Sequence, residues 1–264
     1  MVMRALCLIR KEPYYRRQAF EKGLQRVGFK LLAHLTPEGP EDWLIIWNRK
    51  KGRDEAQADA WEAQGGTVIV AENGYLQKTD KTTYAISVHG HNGSGWFPVG
   101  DEDRFTQLGF EVKRWTNTGS EVVIRGQRGI GSTMMASPAL WAEKLCSEMR
   151  RRTTLPLRVV PHPGNHAPKV PPERELKNAF ALLTWCSSMG VLALTCGVPV
   201  FYAAPRWICS EGGSPLSQFP VLNRNESHRV SALHHMSHGQ WHFNEIETGE
   251  PFARIIARRK EAVW

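Results

Sequence analysis

The stretch ALLTWCSSMGVLALTCGVPVFY, Ala181–Tyr202, reads as a strand, a helix and a second strand, a buried βαβ unit written in one line. Its apolar run breaks at WCSSMG (185–190) and again at TCGVP (195–199). Ala and Leu would pack better there, so two serines and a glycine ask for a reason. In an open α/β sheet, ligands sit where strands end and helices begin. Ser187 and Ser188 fall at that junction. Plain helix capping accounts for one serine. Two hydroxyls beside the first N–H groups of a helix also make a phosphate seat, and Gly190 lets a ligand or another backbone come close.

Outward from this unit the same alternation recurs. Strands are expected at 5–9, 43–47, 67–71, 121–125, 157–160, 180–185 and 198–203, and helices at 15–28, 54–66, 137–153 and 187–196. Residues 87–105 read as a loop-rich insert, and the proline-rich run 165–176 and residues 204–220 as loops. Residues 229–260 read as two helices. The pattern predicts an α/β protein of two Rossmann-like halves, 1–135 and 136–264, with parallel sheets facing a central cleft.

Composition narrows the function classes. At 264 residues and 41% hydrophobic content, the chain can bury a full core. No run approaches the roughly 20 apolar residues of a membrane span. The opening MVMRALCLIR is too short and too quickly charged for a signal peptide, so the expected location is the cytoplasm. Five widely spaced cysteines without a CxxC pair indicate reduced thiols and no zinc site. The net charge of +8 favours polyanionic partners such as nucleic acid, nucleotide phosphates or anionic glycans, and a solvated basic surface explains it equally well.

Further residues fall on the strand-end rim. In VVPHPG (159–164), His162 follows a strand and Pro163 and Gly164 bend the exit. An imidazole there can donate to a phosphate or ribose oxygen, although a lone histidine in a turn is usually incidental. Gln127 and Arg128 lie in the glycine-rich bend IRGQRGIGS (124–132), which is neither a Walker loop nor a strict GxGxxG; it reads as a loop near phosphate or as a polar hinge. The insert HGHNGSGWFPVGDEDR (89–104) holds His89, His91, Asn92, Trp96, Asp101 and Asp103. His-x-His without a matched third ligand argues against a metal, and the glycine-aromatic composition suggests an acceptor-side flap.

The order HP after a strand, SS at a helix start and GVPV entering the next strand resembles the donor-binding half of GT-B glycosyltransferases, in particular the bacterial sialyltransferase and capsule-type Kdo-transferase group. That group carries an acidic–acidic–Gly motif in its N-terminal half. Here Glu72, Asn73 and Gly74 stand in its place, with asparagine for the second acid. The resemblance covers about half the chain. It implies a nucleotide-sugar donor without a further cofactor or metal, with His162, Ser187 and Ser188 on its phosphates and Glu72 facing the acceptor as general base or orienting group. Around these the reading of the residues places Pro163, Gly164, Gly190, Gln127 and Arg128 on the donor side, Asp101 and Asp103 next in line as base, and Arg10, Asn73, His91, Asn92 and Trp96 toward the acceptor. An ordinary loop carboxylate or helix cap explains Glu72 equally well.

For the acceptor, the basic helix with Arg16, Arg17, Lys22 and Arg26, the tryptophans and the tail ARIIARRK resemble in type compact phage-encoded transferases that modify DNA bases. The favoured expectation is therefore double-stranded DNA carrying a hydroxymethylated pyrimidine, with Trp47, Trp96 or Trp115 stacking on the extruded base. The alternatives are a cell-surface glycan precursor, or DNA binding on a transferase scaffold without catalysis.

Overall fold

The computed structural model describes residues 2–76, 82–116, 118–162 and 170–261. Contacts divide the chain into two units. The first is Met1–Asp101, Gly131–Thr133 and His238–Trp264, and the second is Glu102–Ile130 and Met134–Ser237.

Strands β1 (Arg4–Cys7), β2 (Lys30–Leu31), β3 (Asp42–Trp47), β4 (Thr67–Asn73) and β5 (Thr83–Val88) belong to the first unit. Its sheet runs β11-β5-β4-β3-β1-β2, where β11 is Gln240–His242. β2, β1, β3 and β4 are parallel, whereas β5 runs antiparallel to β4 and pairs antiparallel with β11. The sheet expected to be parallel is therefore mixed. The connection from β4 to β5 is too short for a helical crossover, so the next strand returns beside the last. Alternation along the strands feeds two cores. Trp43, Ile45, Ile69 and Ala71 face Phe20, Leu24, Ile246 and Phe252, while Leu44, Ile46, Val68 and Val70 face Ala58 and Trp61 of helix Arg53–Ala63. Gly23 is required where helix Arg17–Arg26 crosses the C-terminal segment, because a Cβ there would run into the Ile246 carbonyl oxygen.

In the second unit, β6 (Glu121–Arg125), β7 (Leu157–Val160), β8 (Ala179–Thr184), β9 (Val200–Tyr202) and β10 (Ser214–Pro215) form a wholly parallel sheet in the order β10-β9-β8-β6-β7. Helix Trp141–Met149 packs on one face through Ala142, Leu145 and Met149. On the other, helix Ser188–Thr195 follows β8.

Three expectations change. A division at residue 135 assigns Glu121–Arg125 to the first half, yet its hydrogen bonds place it between β7 and β8. Residues 229–260 hold more than two helices: helix Glu226–Ser237 is followed by β11 and by helices Phe243–Thr248 and Glu250–Arg258. The insert begins as a strand, since Thr83–Val88 pairs with β4. Strands β2, β10 and β11 are two or three residues long, too short to show alternation, and β5 runs into the glycine- and histidine-rich insert that masks it.

Candidate functional site

Chain order reverses around β6: it leads outward to β7 on one side, whereas β8 leads to β9 on the other. The crevice between β6 and β8 is thus the topological switch point of the second sheet, where a ligand is expected beyond the carboxyl ends of the strands. Gln127 spans it. Its Oε1 accepts the Cys186 N–H at 2.7 Å, and Thr184 Oγ1 donates to the same oxygen at 3.5 Å. Arg128 follows on the surface. His162 arrives at the same edge from β7, beside Gly126, whose N–H bonds the Val160 carbonyl at 2.8 Å. Pro163 and Gly164 lie outside the described residues.

Beneath this rim Arg125 is buried and paired with Glu175 at 2.6 Å. Although His162 keeps an exposed edge, desolvation, with the charges of Arg128 and Arg125 second, lowers its pKa to about 4. The imidazole is therefore held in its neutral form at pH 7.

The opening serines separate into two roles. Ser187 is the N-cap of helix Ser188–Thr195; its Oγ accepts the Met189 N–H at 3.2 Å, and its own N–H is held by Thr184 Oγ1 at 3.0 Å. Ser188 is exposed in the first turn. Gly190 is buried, and a Cβ there would lie 2.8 Å from the Trp207 ring and 3.3 Å from the Thr184 methyl. Its glycine serves the packing of an indole, which corrects the expectation of a ligand approach. Gly190→Ala is expected to destabilise the second unit by about 1–3 kcal/mol through overpacking, read as a lower urea midpoint. A smaller loss would show that Trp207 can move aside.

The first unit gathers a different chemistry. Glu72 and Asn73 are neighbours at the end of β4, so their side chains leave opposite faces of the sheet. Tyr75 Oη donates to Glu72 Oε1 and accepts the Asn92 N–H at 2.7 Å. His91 and Asn92 are buried, and His91 Nδ1 has no hydrogen-bond partner among the described residues. Burial raises the pKa of the Glu72 carboxyl; His91, the Tyr75 phenol and the Asn92 N–H oppose that rise.

On the other face Asn73 Oδ1 accepts the Tyr14 hydroxyl at 2.6 Å, and Tyr14, Tyr15 and Trp47 meet edge to face. Arg10 lies 5.6 Å from the Tyr15 ring centre. These loops follow β1 and β3, the switch point of the first sheet. Sequence reading missed Tyr14, Tyr15 and Tyr75; a YY pair in the loop after a first strand was the available signal.

The remaining candidates are spent elsewhere. Trp96 bridges Val88 through its backbone and packs on the core. Trp115 lies under Arg229, whose guanidinium is 3.9 Å from its ring centre. Asp103 caps helix Arg104–Gln107 and faces His234 Nδ1 at 3.2 Å; the Thr106 hydroxyl and N–H hold its pKa below the usual value. Asp101 is exposed. Among the described residues, no group of three or more His, Cys, Asp or Glu is placed to hold a metal ion, and no helix is long and apolar enough to cross a membrane.

Two Rossmann-like units, one sheet wholly parallel and the other with a parallel core, define a GT-B-like fold. No family model and no curated protein matches the sequence. Among solved structures, the chain is similar to Thermosulfurimonas dismutans KpsC, beta Kdo 2,4 transferase, at a TM-score of 0.53 and 15% identity over 89% of this chain and 90% of that one. It is also similar to the beta Kdo 2,7 transferase of the same protein, at a TM-score of 0.55 and 12% identity over 95% of this chain and 99% of that one. At these identities the likeness is one of fold.

Proposed function

We propose that this chain is a glycosyltransferase that moves a sugar from a nucleotide-sugar donor to a hydroxyl of a glycan acceptor. One observation carries the reading. Gln127 and Arg128, His162, and Ser187 and Ser188 end β6, β7 and β8 at the switch point of one parallel sheet. A neutral imidazole, an arginine and the N-terminus of an apolar helix there offer donors to a leaving phosphate. Glu72 of the first unit is the base that takes the acceptor proton, and the desolvation of its carboxyl supports that role. The similar folds named as Kdo transferases agree with sugar transfer.

The acceptor reading departs from the DNA expectation for two reasons. The basic helix is partly neutralised: Arg17 pairs with Glu21 at 2.6 Å and Lys22 with Glu247 at 2.8 Å. The rim of Tyr14, Tyr15 and Trp47 beside Arg10 suits the apolar face of a sugar ring carrying an anionic group.

The test is a panel of nucleotide sugars with saccharide acceptors and with normal or hydroxymethylated duplex DNA, the products weighed by mass spectrometry. Transfer to a saccharide is the expected result. Transfer to DNA, with binding that weakens steeply with salt, would restore the other acceptor, and no transfer to any acceptor would end the reading. With the donor identified, His162→Ala is expected to weaken its binding about tenfold. Because the free imidazole titrates near 4 and a bound phosphate favours its charged form, wild-type affinity rises as pH falls below neutrality. Calorimetric titrations of the variant should lose that rise; an unchanged pH dependence removes His162 from the phosphate.

A further inference from the structure

Tyr75 is buried in the first unit, and nothing about its position in the sequence marks it as more than core. Its backbone N–H is fixed by Gln240 Oε1 at 2.7 Å, so the ring is held from the chain side as well as by packing. Its phenol oxygen lies between two groups of opposite kind. The Asn92 amide can only donate, and it does so to Tyr75 Oη at 2.7 Å. A phenol has one proton, and it is directed to Glu72 Oε1. With Glu72 ionised, the carboxylate can only accept, so the phenol donates to it while accepting from Asn92.

We propose that Tyr75 is the positioning residue of the Glu72 carboxylate, its oxygen taking the Asn92 N–H and its proton going to Oε1, so that an incoming proton is directed to Oε2. Resting on the reading of Glu72 as base, this gives the carboxylate a defined working oxygen. It also ties the loop carrying His91 and Asn92 to that oxygen's orientation. When an acceptor hydroxyl attacks, its proton passes to Oε2 while its oxygen forms the new glycosidic bond and the donor phosphate leaves with the bonding pair. Throughout, the Tyr75 proton stays on the phenol. The groups that face the carboxyl and set its charge are His91, the phenol itself and the Asn92 N–H, against the desolvation of the site.

The test needs two variants and two readouts. Tyr75→Phe removes the donor, and 3-fluorotyrosine at position 75 keeps the ring's shape while strengthening the donor. Carbon-13 NMR of labelled glutamate, with Glu72→Gln to assign the signal, follows the Glu72 titration without any substrate. The phenol favours the charged carboxylate, so its removal moves the titration up and fluorination moves it down. Since the base works deprotonated, the acid limb of kcat/KM moves the same way. In Tyr75→Phe, kcat falls about tenfold with donor KM unchanged. A Glu72 titration that both variants leave in place overturns the inference. Titrations that move as stated in a protein without transfer activity uphold Tyr75 and remove Glu72 as base. If Tyr75→Phe fails to fold, the fluorinated protein alone decides, because a structural role would leave the titration unmoved.

Discussion

Glu72→Gln is expected to lower kcat by about 10²–10⁴-fold, the usual worth of a positioned general base, while leaving donor affinity and the melting temperature near the wild-type values. The substitution keeps shape and keeps an acceptor for the Tyr75 hydroxyl, so the local hydrogen bonds survive. What is lost is the capacity to take a proton. That separates the chemical role from a structural one, because a carboxylate that only completed the fold would be replaced by its amide at little cost. Burial raises the Glu72 pKa, so the acid limb of the wild-type rate profile should lie above the ordinary carboxylate range, with activity growing as pH rises through it. Single-turnover rates with excess enzyme give the chemical step directly. Full activity in Glu72→Gln would move the base elsewhere. Asp103 would be a poor replacement, since it already caps helix Arg104–Gln107, which leaves the exposed Asp101 as the candidate to test.

The parts of this molecule that were legible in its sequence are those where local pattern and tertiary structure agree. DWLIIW and AFALLT are continuous apolar runs flanked by helical periodicity, and both became central strands, β3 and β8. The serine pair was found at a helix start for the same reason, because N-capping is encoded in the residues that do it. Strand order was not legible. That β6 pairs with β8 follows from register across more than fifty residues, and nothing within EVVIR records it. The return of the C-terminal segment to the first sheet through β11 is likewise long-range: QWH is three residues, and its partner is Tyr84 and its neighbours. Gly190 shows the limit most clearly. A glycine beside a strand end suggests a ligand, but its neighbour is the Trp207 ring, which comes from a loop seventeen positions along. Tyr75 escaped notice because its role depends on Asn92 folding back over Glu72.

The largest stability effect should come from Arg229, a residue the sequence places on an unremarkable helix. Its side chain is fully buried in the second unit. Nη2 donates to the Lys113 carbonyl at 2.8 Å and to both oxygens of Glu226, Nη1 reaches the Leu194 carbonyl at 3.3 Å, and the guanidinium stacks on Trp115. The contact with Leu194 adds a second donor to a carbonyl that also accepts the Gly197 N–H in the last turn of helix Ser188–Thr195, where a cation complements the helix dipole. One guanidinium thus holds the far end of the helix whose near end carries Ser187 and Ser188. Arg229→Ala removes a large buried side chain, takes away the donor to the Lys113 carbonyl and ends a desolvated cation–π contact. The expected loss is about 3–5 kcal/mol, measured as a lower urea midpoint for the second unit. Arg229→Lys should recover less than half of it, since an ammonium cannot reach Leu194, Lys113 and Glu226 in one plane while lying flat on an indole. Full recovery by lysine would mean that charge alone anchors the helix, and a loss below about 1 kcal/mol in the alanine variant would mean that water enters and replaces the guanidinium.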